Sequence, residues 1–102
     1  MQISVQYQNN VLYLRLRGEL DEHNALSARR EADRIAEGYV GSESAVLDLG
    51  EVSFMDSTGI GFLIGRYKKF QRLGMATYLT NPTQNADKIL AMSGVYTLMP
   101  KI

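Results

Sequence analysis

A chain of 102 residues has room for one domain, spanning 1–102, and rarely divides into two independent cores. Its 45% hydrophobic and 22% charged residues fit a folded soluble protein, while eleven Lys and Arg against eleven Asp and Glu leave no surplus for direct nucleic-acid binding. With no cysteine and one histidine, His23, the chain excludes disulfides, thiolate nucleophiles, zinc ribbons and His-pair metal sites, so neither metal nor cofactor is expected.

The first residues, MQISVQYQNN, lack the basic end and apolar run of a secretory signal. No apolar stretch approaches the length of a membrane span, and a cytoplasmic protein is expected. Ile3, Val5 and Tyr7 alternate within Met1–Tyr7, and Leu12, Leu14 and Leu16 alternate with Arg15 and Arg17 within Val11–Arg17. Both patterns predict half-buried strands, joined at Asn9-Asn10 by a hairpin turn. Asp21 is the expected N-cap of a helix with Ala25, Ala28, Ala32, Ile35 and Ala36 at helical spacing. Gly38 is placed to end it in a left-handed conformation.

Ala45–Leu49 predicts a short buried strand with Asp48 as its one charge, and Val52–Met55 a strand-like stretch ending at Asp56. A helix then begins. Ile60, Leu63, Ile64, Tyr67 and Gln71 fall in one narrow arc, with Phe70 at its edge and Thr58, Gly61, Phe62, Gly65 and Lys69 opposite. Each interior glycine costs a helix about 1 kcal/mol relative to alanine, so Gly61 and Gly65 need a reason. They serve either close packing on the sheet or a flat exposed docking surface centred on Phe62. After the stop signal Gly74, Met75–Leu79 predicts another strand. Asn81-Pro82 reads as N-cap and first position of a helix packed by Ile89, Leu90 and Met92 and closed by Gly94. Val95–Met99 is the candidate last strand. An initial hairpin followed by alternating units implies an α/β mixed sheet covered by helices.

Ser57 falls in the first turn of the central helix, where several amides lack intrahelical partners. A phosphoserine there is tolerable, since a helix N-terminus favours an anion by roughly 0.3–1 kcal/mol. Taken alone, Asp56-Ser57-Thr58 reads first as a plain capping sequence, since capping serines and threonines are common.

Phe54-Met55-Asp56-Ser57-Thr58-Gly59-Ile60-Gly61, running into Leu63-Ile64-Gly65-Arg66-Tyr67-Lys68, resembles the phosphorylation segment of bacterial anti-sigma factor antagonists, the STAS family, and within it the sporulation branch. Gly18-Glu19-Leu20-Asp21 matches the family's Gly-Glu-Leu-Asp loop, and Met92-Ser93-Gly94-Val95 its late Ser-Gly turn. The matches lie in family order over nearly the whole chain. The resemblance implies a STAS-like mixed sheet with helices packed mainly on one side. Many members continue into a further C-terminal helix; this sequence ends at Ile102.

The resemblance further implies a non-enzymatic switch. Ser57 would be phosphorylated by an anti-sigma factor that is itself a serine kinase and binds the ATP. The unphosphorylated form would hold that kinase and release the sigma factor, and a metal-dependent serine phosphatase would reset it. A monomer is expected when free. The docking surface is expected to combine Glu19 and Asp21 with Asp56, Thr58, Gly61, Phe62 and Gly65. A STAS module without phosphorylation, acting as scaffold or small-ligand sensor, is the alternative that a purely capping Ser57 would favour. Catalytic readings are weaker. His23 is the one candidate base for a hydrolase, Gly65 is followed by Arg66-Tyr67 rather than a P-loop Lys-Ser/Thr, and no acidic Mg²⁺ cluster accompanies Asp48 or Asp56 as phospho-acceptors.

Overall fold

A computed structural model describes residues 1–102. Strand β1 (Gln2–Gln8) pairs antiparallel with β2 (Val11–Leu20) through the expected turn, where Asn9 and Asn10 adopt φ of 54° and 64°. Two consecutive positive φ values give the twist that a tight hairpin requires, and asparagine tolerates them. Helix α1 (Ala25–Glu37) then carries the chain to β3 (Ser44–Met55), and α2 (Ser57–Arg72) carries it to β4 (Ala76–Thr80). β2, β3 and β4 run parallel in the order β1-β2-β3-β4, as crossover helices demand. Helix α3 (Gln84–Ser93) follows.

Leu12, Leu14 and Leu16 share one sheet face with Ala45, Leu47, Thr77 and Leu79, and that face is buried beneath Ala28, Ala32, Ile35, Leu63 and Phe70 of the helices. The other face, carrying Ser4, Gln6, Tyr13, Arg15 and Arg17, is open. The alanines of α1 let it settle close to β1, β2 and α2. None of the helices is long and apolar enough to cross a membrane.

The two expected stretches 45–49 and 52–55 are one twelve-residue strand, β3. Gly50 does not break it: a Cβ there would collide with the Asn81 side chain folded over the strand, so glycine answers a close approach. Asp21 is not the N-cap of α1. Its Oδ1 accepts from the amides of His23 (3.0 Å) and Asn24 (3.2 Å), capping a lead-in turn, and Asn24 precedes the helix. Gly38 ends α1 in a right-handed conformation, φ −77°; the left-handed residue is Gly41. The cap of α3 is Thr83, whose Oγ1 accepts from the Ala86 amide at 3.3 Å, so Asn81 and Pro82 lie outside the helix. Met92 does not pack it, being 88% exposed. Nor is Val95–Met99 a strand: Val95–Thr97 forms a 3₁₀ turn, and only Lys101 bridges β4, at Leu79.

That final segment is held by a polar clamp. Tyr96 Oη donates to Asp87 Oδ1 at 2.6 Å, and Lys101 Nζ donates to the same oxygen at 3.0 Å. These bonds, that from Tyr96 first, hold the Asp87 carboxyl below its usual range, while burial and then Asp87 push the Tyr96 phenol above its own. A depressed carboxylate contributes stability that is complete above its unfolded pKa, near 3.8, and is lost as pH falls through the folded value. Asp87→Asn should therefore flatten the acid limb of stability against pH, measured by urea unfolding between about pH 2 and 7. An unchanged acid limb would remove the clamp from the account.

Candidate functional site

The site is assembled where β2 and β3 end together. The ladder runs through Glu19↔Phe54 and Leu20↔Met55, with register shifts between Arg15 and Arg17 and between Gly18 and Glu19. This places the 18–21 loop against the strand that leads into Asp56. Gly18, at φ +118°, supplies a conformation that L side chains rarely adopt.

Asp56 stops the strand and starts the helix. Its backbone is extended, and its Oδ1 accepts from the amides of Thr58 at 2.9 Å and Gly59 at 3.3 Å. The cap is thus Asp56 and not Ser57. Ser57, the first residue of α2, is exposed, and its hydroxyl enters no intramolecular hydrogen bond. A free hydroxyl at a helix start is available to an incoming phosphoryl group. Glu19 is exposed and Asp56 half-buried, while the Asp21 carboxylate is spent on its own turn and on Asn24 Nδ2.

The buried arc of α2 is Gly59, Phe62, Leu63, Arg66 and Phe70, turned by roughly a quarter turn from the Ile60–Leu63–Ile64–Tyr67 stripe. Ile60, Ile64 and Tyr67 are only partly buried. The reason is that α2 packs on two surfaces, the sheet below and α1 beside it. Phe62 is consequently 5% exposed and belongs to the core, which corrects its expected place as an exposed anchor. Thr58, Gly61 and Gly65 do remain accessible. Together with Phe62 they line a groove of about 510 Å³ between α1 and α2, walled by Arg29 and Asp33 on one side and Lys68 and Arg72 on the other.

Arg66 lies on the groove floor, stacked 5.3 Å from the Phe62 ring centroid. Its Nη2 donates to Asp33 Oδ2 at 3.3 Å, and Nε approaches Oδ1 at 2.7 Å off the hydrogen-bonding axis, an ionic contact. Burial lowers the Arg66 pKa from its ordinary value, and Asp33 works against that shift. Arg66, Asp33 and Gly59 escaped the sequence reading. Gly59 and Arg66 fall on the 59, 62, 63, 66, 70 helical spacing, but a glycine and an arginine do not mark a buried face, and Asp33 lies on another helix.

The glycines of α2 differ in kind. A Cβ on Gly59 would stand 2.5 Å from Met55 Cγ and 3.0 Å from the Leu20 carbonyl oxygen, whereas one on Gly61 or Gly65 would meet nothing within 4 Å. Close packing on the sheet is therefore not what Gly61 and Gly65 serve. Gly59→Ala should destabilise by about 1–3 kcal/mol despite better helix propensity. Gly61→Ala should stabilise by up to about 1 kcal/mol. Equal urea midpoints for the two variants would refute the distinction.

A mixed sheet with an initial hairpin, helices on one face and a serine exposed at the start of the central helix defines a class, and the chain belongs to the STAS domain family, whose model matches residues 2–102. Over 102 residues it is 37% identical to the anti-sigma F factor antagonist of Paenibacillus polymyxa, covering 98% of this chain and 85% of that one. Its fold is similar to that of the anti-sigma factor antagonist SpoIIAA in its unphosphorylated form, with TM-score 0.78 and 24% identity over 99% of this chain and 88% of that one. The Bacillus cell fate determinant SpoIIAA in its phosphorylated form is also similar, with TM-score 0.69 and 25% identity over 99% and 91% of the two chains.

Proposed function

We propose that this chain is an anti-anti-sigma factor of the sporulation type, a cytoplasmic monomer when free. Unphosphorylated, it binds an anti-sigma factor that is a serine kinase, and the sigma factor is released. Phosphorylation of Ser57 by that kinase, with ATP bound on the kinase, ends the interaction, and a metal-dependent serine phosphatase restores it. The observation that carries this reading is the free, exposed Ser57 hydroxyl beside a cap already supplied by Asp56, in a chain 37% identical to an anti-sigma F factor antagonist.

In the transfer, the bond from Ser57 Oγ to the γ-phosphorus forms as the bond to ADP breaks, and the hydroxyl proton leaves to a base on the kinase. The product carries about −1.5 to −2 charge next to Asp56, which already occupies the Thr58 and Gly59 amides. The phosphate cannot take those amides without displacing Asp56. Its charge accumulates instead on a rim that includes Glu19, and the cost falls on partner affinity rather than on the fold. Incubation with the anti-sigma factor from the same genome and ATP should add one phosphoryl group, and Ser57→Ala should abolish it. Modification mapping to Thr58 or Ser53 would sink the assignment.

A further inference from the structure

The chain is neutral, yet its charge is not evenly spread. Helices α1 and α2 hold seven of the eleven Lys and Arg but only three of the eleven acids, a surplus of four positive charges offset elsewhere. Two of the three acids are consumed, Asp33 on Arg66 and Glu37 on Lys69 at 2.8 Å. Arg29, Lys68 and Arg72, which line the α1–α2 groove, take part in none of the four ion pairs.

The same groove is kept empty at a cost. Gly61 and Gly65 line it, and no contact inside the protein requires either to be glycine. An alanine at each would favour the helix by about 1 kcal/mol. Beneath them the groove floor is Phe62 and the buried Arg66, an apolar ring under a guanidinium. The groove runs from Thr58, next to Ser57, to Arg72 at the end of α2. The fourteen helical steps from Thr58 to Arg72 rise about 21 Å, the span of about six residues of extended chain.

We propose that this groove receives an extended acidic segment, about six residues long, of the partner that engages Ser57. The inference rests on the proposed function and supplies the chemistry of the partner's contact. Arg29, Lys68 and Arg72 pair with its carboxylates, and Gly61 and Gly65 admit its backbone. The acidic rim around Glu19 and Asp56 repels the segment from continuing past Ser57, which fixes where it ends. A flat anionic surface does not fit as well, because it would meet the exposed cations alone, whereas the groove is also lined by Phe62 and Arg66, which are 5% and 4% exposed.

The test is a titration of the ¹⁵N-labelled protein with a hexaglutamate peptide at low ionic strength, followed by amide shifts. Saturable shifts of Gly61 and Gly65 are expected. The Kd should rise at least about tenfold in Arg29→Gln/Arg72→Gln and stay unchanged in Arg15→Gln/Arg17→Gln on the open sheet face, and Gly65→Leu should abolish binding. Absent shifts overturn the inference, as does equal weakening by the sheet-face pair. Tighter binding of phosphatidylserine vesicles or duplex DNA by the same arginines also overturns it. With the kinase, Arg29→Gln/Arg72→Gln should raise KM for Ser57 phosphorylation about tenfold with kcat held. An unchanged KM defeats the groove assignment while the proposed function stands. Failure of the wild-type protein to be phosphorylated at Ser57 defeats the proposed function instead, and the peptide titration still decides the groove.

Discussion

Phe62→Ala is expected to lower stability by about 3–5 kcal/mol, the range for removing a fully packed aromatic ring from a core. The ring is 5% exposed, belongs to the core cluster at the floor of the α1–α2 groove, and carries the Arg66 guanidinium over one face. Its removal forfeits both the burial of an aromatic and a desolvated cation–π contact, and it leaves a buried cation above a void. Phe62→Leu keeps most of the volume and should cost much less. Urea unfolding of the two variants separates packing from any docking role. A loss below about 1 kcal/mol in Phe62→Ala would place the ring on the surface after all.

The same residue shows where sequence reasoning stops. The strands were legible because period-2 alternation in Val11–Arg17 depends on one buried face and one wet one. The two-layer architecture followed from the order of elements. In α2 a single apolar stripe was a poor guide, since the helix is buried on two flanks and one flank is completed by an arginine. Nothing local announces that Arg66 will be buried; its partner Asp33 is thirty-three residues away on another helix. The candidate site divides in the same manner. Asp56 and Ser57 were legible from a local capping pattern, while Arg29, Lys68 and Arg72 become a site only when α1 is laid against α2.

Helix ends were less legible than helices. Asn81-Pro82 has the chemistry of a helix start, but Asn81 at φ 59° turns instead and covers Gly50, leaving Thr83 to cap. Val95–Met99 has strand-like composition, yet the left-handed Gly94 and the Tyr96–Asp87 bond bend it into a 3₁₀ turn. In both cases a tertiary contact overrode a local preference.

The Asp33–Arg66 pair should behave as a coupled unit. Arg66 has a side-chain exposure of 5% against 20% for Asp33, so water reaches the acid but hardly the base. Asp33→Ala strands a buried guanidinium and should cost about 3 kcal/mol, the lower end for breaking a buried pair because Asp33 is partly wet. Arg66→Met removes the charge whose burial already lowers its pKa, and the thioether can occupy the space over Phe62. Desolvation on burial lowers the Arg66 pKa more than Asp33 raises it, so the double variant Asp33→Ala/Arg66→Met should return to within about 1 kcal/mol of wild type. A thermodynamic cycle over the four proteins is then expected to show coupling above about 1 kcal/mol. Strict additivity would mean that the two side chains stand side by side without holding α1 to α2, and the Lys69–Glu37 bridge would be left as the only ionic tie between the helices.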